Sequence, residues 1–265
     1  MRRLCPLVED SLDKKTPFIG SPSRSLQEQH FGEKEFDNFS IFGGIIIETL
    51  GPGMGQIIKN HAVLICIVIS VSLVSIAAAL YPGGSLLDMD SEGFDWTKNF
   101  ITNLFQDNAL NGKENPGRVW AIIGIAFHAL GYGLFFIDMS KKISNNHAAR
   151  VLKIVGVSNI LFTFLIATPL HDMMVTTSST LAMLGIFYIT VFTLKTKLHL
   201  IKIFCILSML IFYYTLFLYG LGDWGLLAIM QKVAFSVSML LVLVLEYFTE
   251  QADFAFTKSA QINQQ

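Results

Sequence analysis

Three polar groupings in this chain could do chemistry. His171 and Asp172 are adjacent. A histidine beside a carboxylate is a general base with its orienting group, or two ligands for a metal ion. Gln231 and Lys232 lie inside an apolar run. An ammonium there would hold an anionic group, or pair with a carboxylate such as Asp172 or Asp95. Asp95, Asn99 and Asn103 recur at helical spacing and would add polar contacts to the same ligand. His128 and Asn159 are isolated in other apolar runs. They read as a proton carrier or cavity ligand, or as an interhelical hydrogen bond. Each grouping also has a plain reading. His171-Asp172, followed by Thr176, Thr177, Ser178, Ser179 and Thr180, is a polar turn with helix N-cap residues. Lys232 is a snorkelling side chain, about 10 Å below a membrane surface at ~1.5 Å per residue.

The elements that must position these groups are apolar helices. Of 265 residues, 52% are hydrophobic and 15% charged, against about 25% charged in soluble domains. Six stretches are each close to the ~20 apolar residues that cross a bilayer: residues 61–81, 119–137, 151–169, 176–194, 199–221 and 225–248. Lipid offers backbone groups no partner, so these segments are helical. The fold class is all-α: a polytopic membrane bundle of six transmembrane helices. The net charge of −1 gives no footprint for nucleic acid. Cys5, Cys66 and Cys205 are scattered and frame no disulfide pattern.

Charge assigns the sides. Lys and Arg gather before the first span, after the second (Lys141, Lys142, Arg150, Lys153) and after the fourth (Lys195, Lys197, Lys202). Positive loops stay cytoplasmic, so both termini are expected there. The expected domains are a partly disordered cytoplasmic tail over 1–60, the six-helix domain over 61–248 and a cytoplasmic tail over 249–265. Within the first tail, the apolar run at 41–55 is too short to span, is stopped by Pro52 and neighbouring glycines, and is expected to lie at the inner interface. The outer side then carries the long connection 82–118, with Trp96, Trp120 and Trp224 at its membrane surface. Within that connection, 94–106 reads as a short amphipathic helix. Its polar face is Asp95, Asn99, Thr102, Asn103 and Gln106, and its apolar face points to lipid or bundle.

Three segments together resemble an uncharacterised six-helix membrane family, domain of unknown function 998. They are Asn99-Phe100-Ile101-Thr102-Asn103-Leu104, the turn Pro169 to Asp172, and Gly225 with Gln231-Lys232. A looser likeness is to the Frag1/DRAM group. The likeness covers roughly residues 60–248. It implies a six-helix integral membrane protein and no established reaction. Asn103 stands where that family has Asp, and Lys232 where it has Arg.

No soluble-enzyme signature is present in the sequence. The default expectation is a non-catalytic membrane component. One alternative is a lipid-binding or hydrolase-like protein holding a lipid head group at the outer face, with Lys232 as anchor and His171-Asp172 as base. Another is a proton-coupled carrier using His128, Asn159 and Lys232. No cofactor is expected. Zinc is the alternative: His128 and His171 are the two histidines of the outer half, and a zinc site of three protein ligands would need a carboxylate as well. The bilayer is the expected partner; the sequence names no protein partner.

Overall fold

The computed structural model describes residues 52–255, except the side chains of 52–55 and of Asp172. The expectations for residues 1–51 and 256–265 lie outside the described residues. The chain divides into two units at Ile57, and the six-helix bundle is the second. At the junction, α1 covers Pro52–Asn60. Pro52 opens this helix, since the first helical position needs no N–H.

The spans are α2 (Ala62–Ala79), α3 (Arg118–Lys142), α4 (Asn146–Phe164), α5 (His171–Thr193), α6 (His199–Leu221) and α7 (Trp224–Phe248). These six helices are long and apolar enough to cross a membrane. The molecule is an all-α polytopic bundle, a multi-pass membrane protein. Neighbours in sequence pack against each other, and α7 returns to touch α3 and α2. The helices leave wide apolar faces outward, including Leu200, Leu210, Phe217 and Phe248, which suits lipid rather than water.

Small residues set the tightest approaches. Along α3 and the residue before it, Gly117, Gly124 and Gly131 recur every seven residues against α2. Gly133 meets Gly156 of α4, where a Cβ on Gly156 would stand 2.8 Å from the Gly133 carbonyl oxygen. Backbones this close gain dispersion contacts that hold helices together where lipid removes the hydrophobic drive. A second cluster sits at the loop-bearing end, built from Ala77, Tyr81, Leu104, Phe105, Ala121 and Ile125.

That end is closed by the 80–117 connection, which is a folded cap. Gly83 and Gly84 have φ of +132° and +83°, and a Cβ on Gly83 would lie 2.1 Å from the Ser91 carbonyl. Only glycine takes this turn without strain. Isolated bridges pair Gly83 with Glu92 and Asn108 with Glu114. The helix expected over 94–106 is shorter: a turn at 95–98, then a single 3-10 helix at Ile101–Phe105. Its faces are also not divided as expected. Asn99 and Asn103 are buried together with Leu104 and Phe105, while Trp96 is exposed. The asparagines turn inward because the cap's own backbone needs their hydrogen bonds.

At the opposite end, Lys142 of α3 reaches α7. Its ammonium donates to the Glu246 carbonyl at 2.8 Å and lies 3.4 Å from the Glu246 carboxylate. Beyond α7, Phe254 is buried, so the start of the expected C-terminal tail packs on the bundle.

Candidate functional site

The structure brings five of the sequence-predicted residues to one place, where α7 meets the cap. Lys232 lies two turns into α7. Its ammonium donates to the Asn99 carbonyl at 2.5 Å and the Ala228 carbonyl at 2.6 Å. It also sits over the Phe94 ring, 5.9 Å from the centroid. Gln231 accepts the Ile101 N–H at 2.9 Å. Asn99 is fully buried; its amide donates to the Gly84 carbonyl and accepts the Asp95 N–H. Asn103 accepts the Phe100 N–H at 2.7 Å, closing the 3-10 turn. Most of the partners in this cluster are backbone groups of the cap.

Asp95 faces the same cluster. Its carboxylate accepts the Thr97 hydroxyl and N–H and lies 3.7 Å from the Lys98 ammonium. The Thr97 donors, and then the Lys98 charge, hold this carboxyl below the usual carboxylate range. Lys98, rather than Lys232, is within ion-pair distance of it.

His171 faces a different place. It lines a cleft of about 390 Å³ with Thr102, Phe105, Asp107, Arg118, Thr168 and neighbours. His171 is the first residue of α5. The expected polar turn capped by Thr176 to Thr180 is therefore displaced: those residues lie inside the helix. The turn is closed by Thr168, whose hydroxyl donates to the Leu165 carbonyl and accepts the Leu170 N–H. Thr177 and Thr180 bond back to carbonyls four residues earlier, as hydroxyls in apolar helices do. The side chain of Asp172 lies outside the described residues.

His171 Nδ1 is 2.8 Å from the Ile166 carbonyl oxygen. A carbonyl only accepts, so Nδ1 carries a proton; in the neutral imidazole Nε2 is then the acceptor. Arg118 stands across the cleft, donating through Nε to the Phe105 carbonyl at 3.0 Å and through a terminal N–H to the Asp107 carboxylate. The cleft thus combines a guanidinium, a carboxylate, an imidazole acceptor and two threonines above an apolar floor. It could bind a small polar group of either sign. Sequence spacing gives no signal for Arg118 and Asp107, which read as ordinary loop charges, whereas Thr102 falls on the polar face expected for 94–106. Nearby, Asn115 donates to the Leu104 and Gln106 carbonyls and orders the entry to α3. Tyr81 accepts the Leu110 N–H, and its burial pushes the phenol up.

The two mid-membrane residues lie in separate interfaces. His128 stacks on Tyr132, with ring centroids 4.3 Å apart, and meets Phe235 of α7 edge-on. Tyr132 in turn shares a 2.6 Å hydrogen bond with Ser238. Asn159 accepts the Ser178 hydroxyl at 3.2 Å, and Ser178 shares a hydrogen bond with Thr163. These are ties between α3 and α7 and between α4 and α5. Among the described residues, no three His, Cys, Asp or Glu side chains group as a metal site. The chain matches no protein-family model, no curated protein and no solved structure.

Proposed function

We propose that the protein is a non-catalytic membrane component, with both termini in the cytosol and the 80–117 cap on the far side, and that it holds lipid at the cap's edge. The observation that carries the first part is the engagement of Lys232 and Gln231 with backbone groups of the cap. A ligand anchor keeps its polar groups for the ligand; Lys232 instead donates to the chain and Gln231 accepts from it. They latch the cap to α7. The orientation rests on the lysines and arginines clustered at the other end, among them Lys141, Lys142 and Arg150. The likeness to the domain of unknown function 998 belongs to this proposal, since the latch uses two of the segments that carry it.

The second part rests on the cleft. Its volume falls within the ~300–1,000 Å³ of small-ligand sites. Its place at the ends of α3 and α4 would put it at head-group depth. The head group is assigned to Arg118 and His171, rather than to the Lys232 anchor expected from sequence. The carrier reading needs His128, Asn159 and Lys232 in one path, and their contacts lie in three separate places.

Two measurements test this. Lys113 is exposed on the cap; Lys113→Cys should react with a membrane-impermeant maleimide in intact cells. Lys232→Met should accumulate poorly or melt early. A variant that melts like the parent overturns the latch.

A further inference from the structure

The cleft lined by His171 and Arg118 is more specific than a basic patch. It carries both signs: Arg118 as donor, Asp107 as acceptor, and His171 Nε2 as a second acceptor. Asp107 is 76% exposed and bound by Arg118 through one oxygen. A carboxylate has about four lone-pair sites, so it can accept further hydrogen bonds. Arg118 uses two of a guanidinium's five N–H donors on Phe105 and Asp107. The lower wall is apolar, from Phe105, Ile166, Ala167 and Pro169.

A purely anionic head group would meet the Asp107 charge and leave the imidazole acceptor unused. A choline head group has no N–H to give either acceptor. We propose that this cleft binds the phosphoethanolamine head group of a phospholipid. The phosphate accepts from Arg118 and from the Thr102 hydroxyl. The primary ammonium donates to Asp107 and to His171 Nε2. The glycerol end lies against the apolar wall. This inference rests on the head-group reading of the cleft and adds to it the class of lipid.

The test uses the full chain purified in detergent and read by native mass spectrometry. Dioleoyl lipids bearing ethanolamine, choline or glycerol phosphate are offered in competition. Soluble glycerophosphoethanolamine is a fourth arm. The parent should retain the ethanolamine lipid best. Asp107→Asn and His171→Phe should each cut that retention about tenfold or more, as expected for losing a hydrogen bond to a charged group. Glu114→Gln removes an exposed acid of the same cap that does not line the cleft, and it should leave retention unchanged. Thermal melting of each variant confirms folding.

If Asp107→Asn and Glu114→Gln bind the ethanolamine lipid alike, the inference is overturned. If the glycerol lipid is retained best, the head-group reading stands and the ethanolamine assignment falls. If no lipid is retained, the head-group reading itself falls. If the soluble phosphoester competes as well as the lipid, the ligand is the free phosphoester and the lipid assignment is wrong.

Discussion

The ammonium of Lys232 in α7 and the backbone carbonyl of Asn99 in the cap, 133 positions apart in the chain, are joined by a 2.5 Å hydrogen bond. One charged side chain therefore fixes a 38-residue connection, residues 80–117, to the last helix. The Ala228 carbonyl, one turn earlier in α7, shares the same ammonium. Hydrogen bonds to charged groups contribute ~1.5–3 kcal/mol each. Lys232→Met keeps the stem and removes both. We expect a loss of about 2–4 kcal/mol, allowing for the ammonium's own desolvation. A thermal-shift measurement on the solubilised protein checks this. Gln231→Ala should be milder, near ~1 kcal/mol, since a neutral bond to Ile101 is lost.

Two asparagines in the cap should behave unequally when made acidic. Asn99 uses both ends of its amide, donating to Gly84 and accepting from Asp95. Asn99→Asp turns the donor into an acceptor facing a carbonyl in a fully buried place, a cost of at least ~1–3 kcal/mol. The bond described for Asn103 is one of acceptance, from the Phe100 N–H. Asn103→Asp should therefore retain the turn and lose less than Asn99→Asp, because its carboxylate still accepts the Phe100 N–H although it is buried. Equal losses for the two variants would show that the Asn103 amide has a donor role.

These asparagines also mark how far the sequence could be read. The six helices were legible because mean hydropathy and length decide them, and no tertiary contact is needed. The gathering of Asp95, Asn99, Asn103, Gln231 and Lys232 was legible as an end of the bundle, through loop charge. Their role was not. A polar stripe at helical spacing looks the same whether it faces water, a ligand or the chain's own carbonyls. The distinction needs the position of Gly84 and Ile101, which is set by the turn at Gly83 and by α7. The same limit explains the cleft. Arg118 is one charge among many in sequence, and only the path of the cap brings Phe105 and Asp107 to it. The start of α5 was misplaced for a local reason: Thr168 closes the turn, so His171 can begin the helix without a side-chain cap of its own.

The cap should loosen in acid. The folded protein holds the Asp95 carboxyl below its ordinary value, through Thr97 and Lys98. A carboxyl depressed by folding contributes stability that is fully present above its unfolded value, about 3.9. That contribution is lost as pH falls through the lower folded value. Near pH 7 the term is constant; from about pH 4 downward the 95–99 turn should open. Trp96 sits inside this turn and is exposed. Its fluorescence, read in a chain with Trp120→Phe and Trp224→Phe, should shift over that window. Asp95→Asn should abolish the shift. An unchanged acid transition in that variant would place the titrating group elsewhere.

Packing separates two kinds of helical glycine. A Cβ on Gly156 would stand 2.8 Å from the Gly133 carbonyl oxygen and 3.1 Å from the Phe136 side chain. The first of these is backbone and cannot rotate away, so α3 and α4 must move apart. Overpacking of this kind costs ~1–3 kcal/mol. The cost should reach the upper end, because His128, Gly131 and Gly133 lie on the same helix and their contacts shift with it. Gly220, near the end of α6, has nothing within 4 Å of its would-be Cβ. Gly220→Ala should be neutral or stabilising by up to ~1 kcal/mol, since alanine is the better helix former. Comparing melting temperatures of Gly156→Ala and Gly220→Ala tests whether α3 and α4 meet at the backbone. If Gly156→Ala melts no lower than Gly220→Ala, that contact is not made.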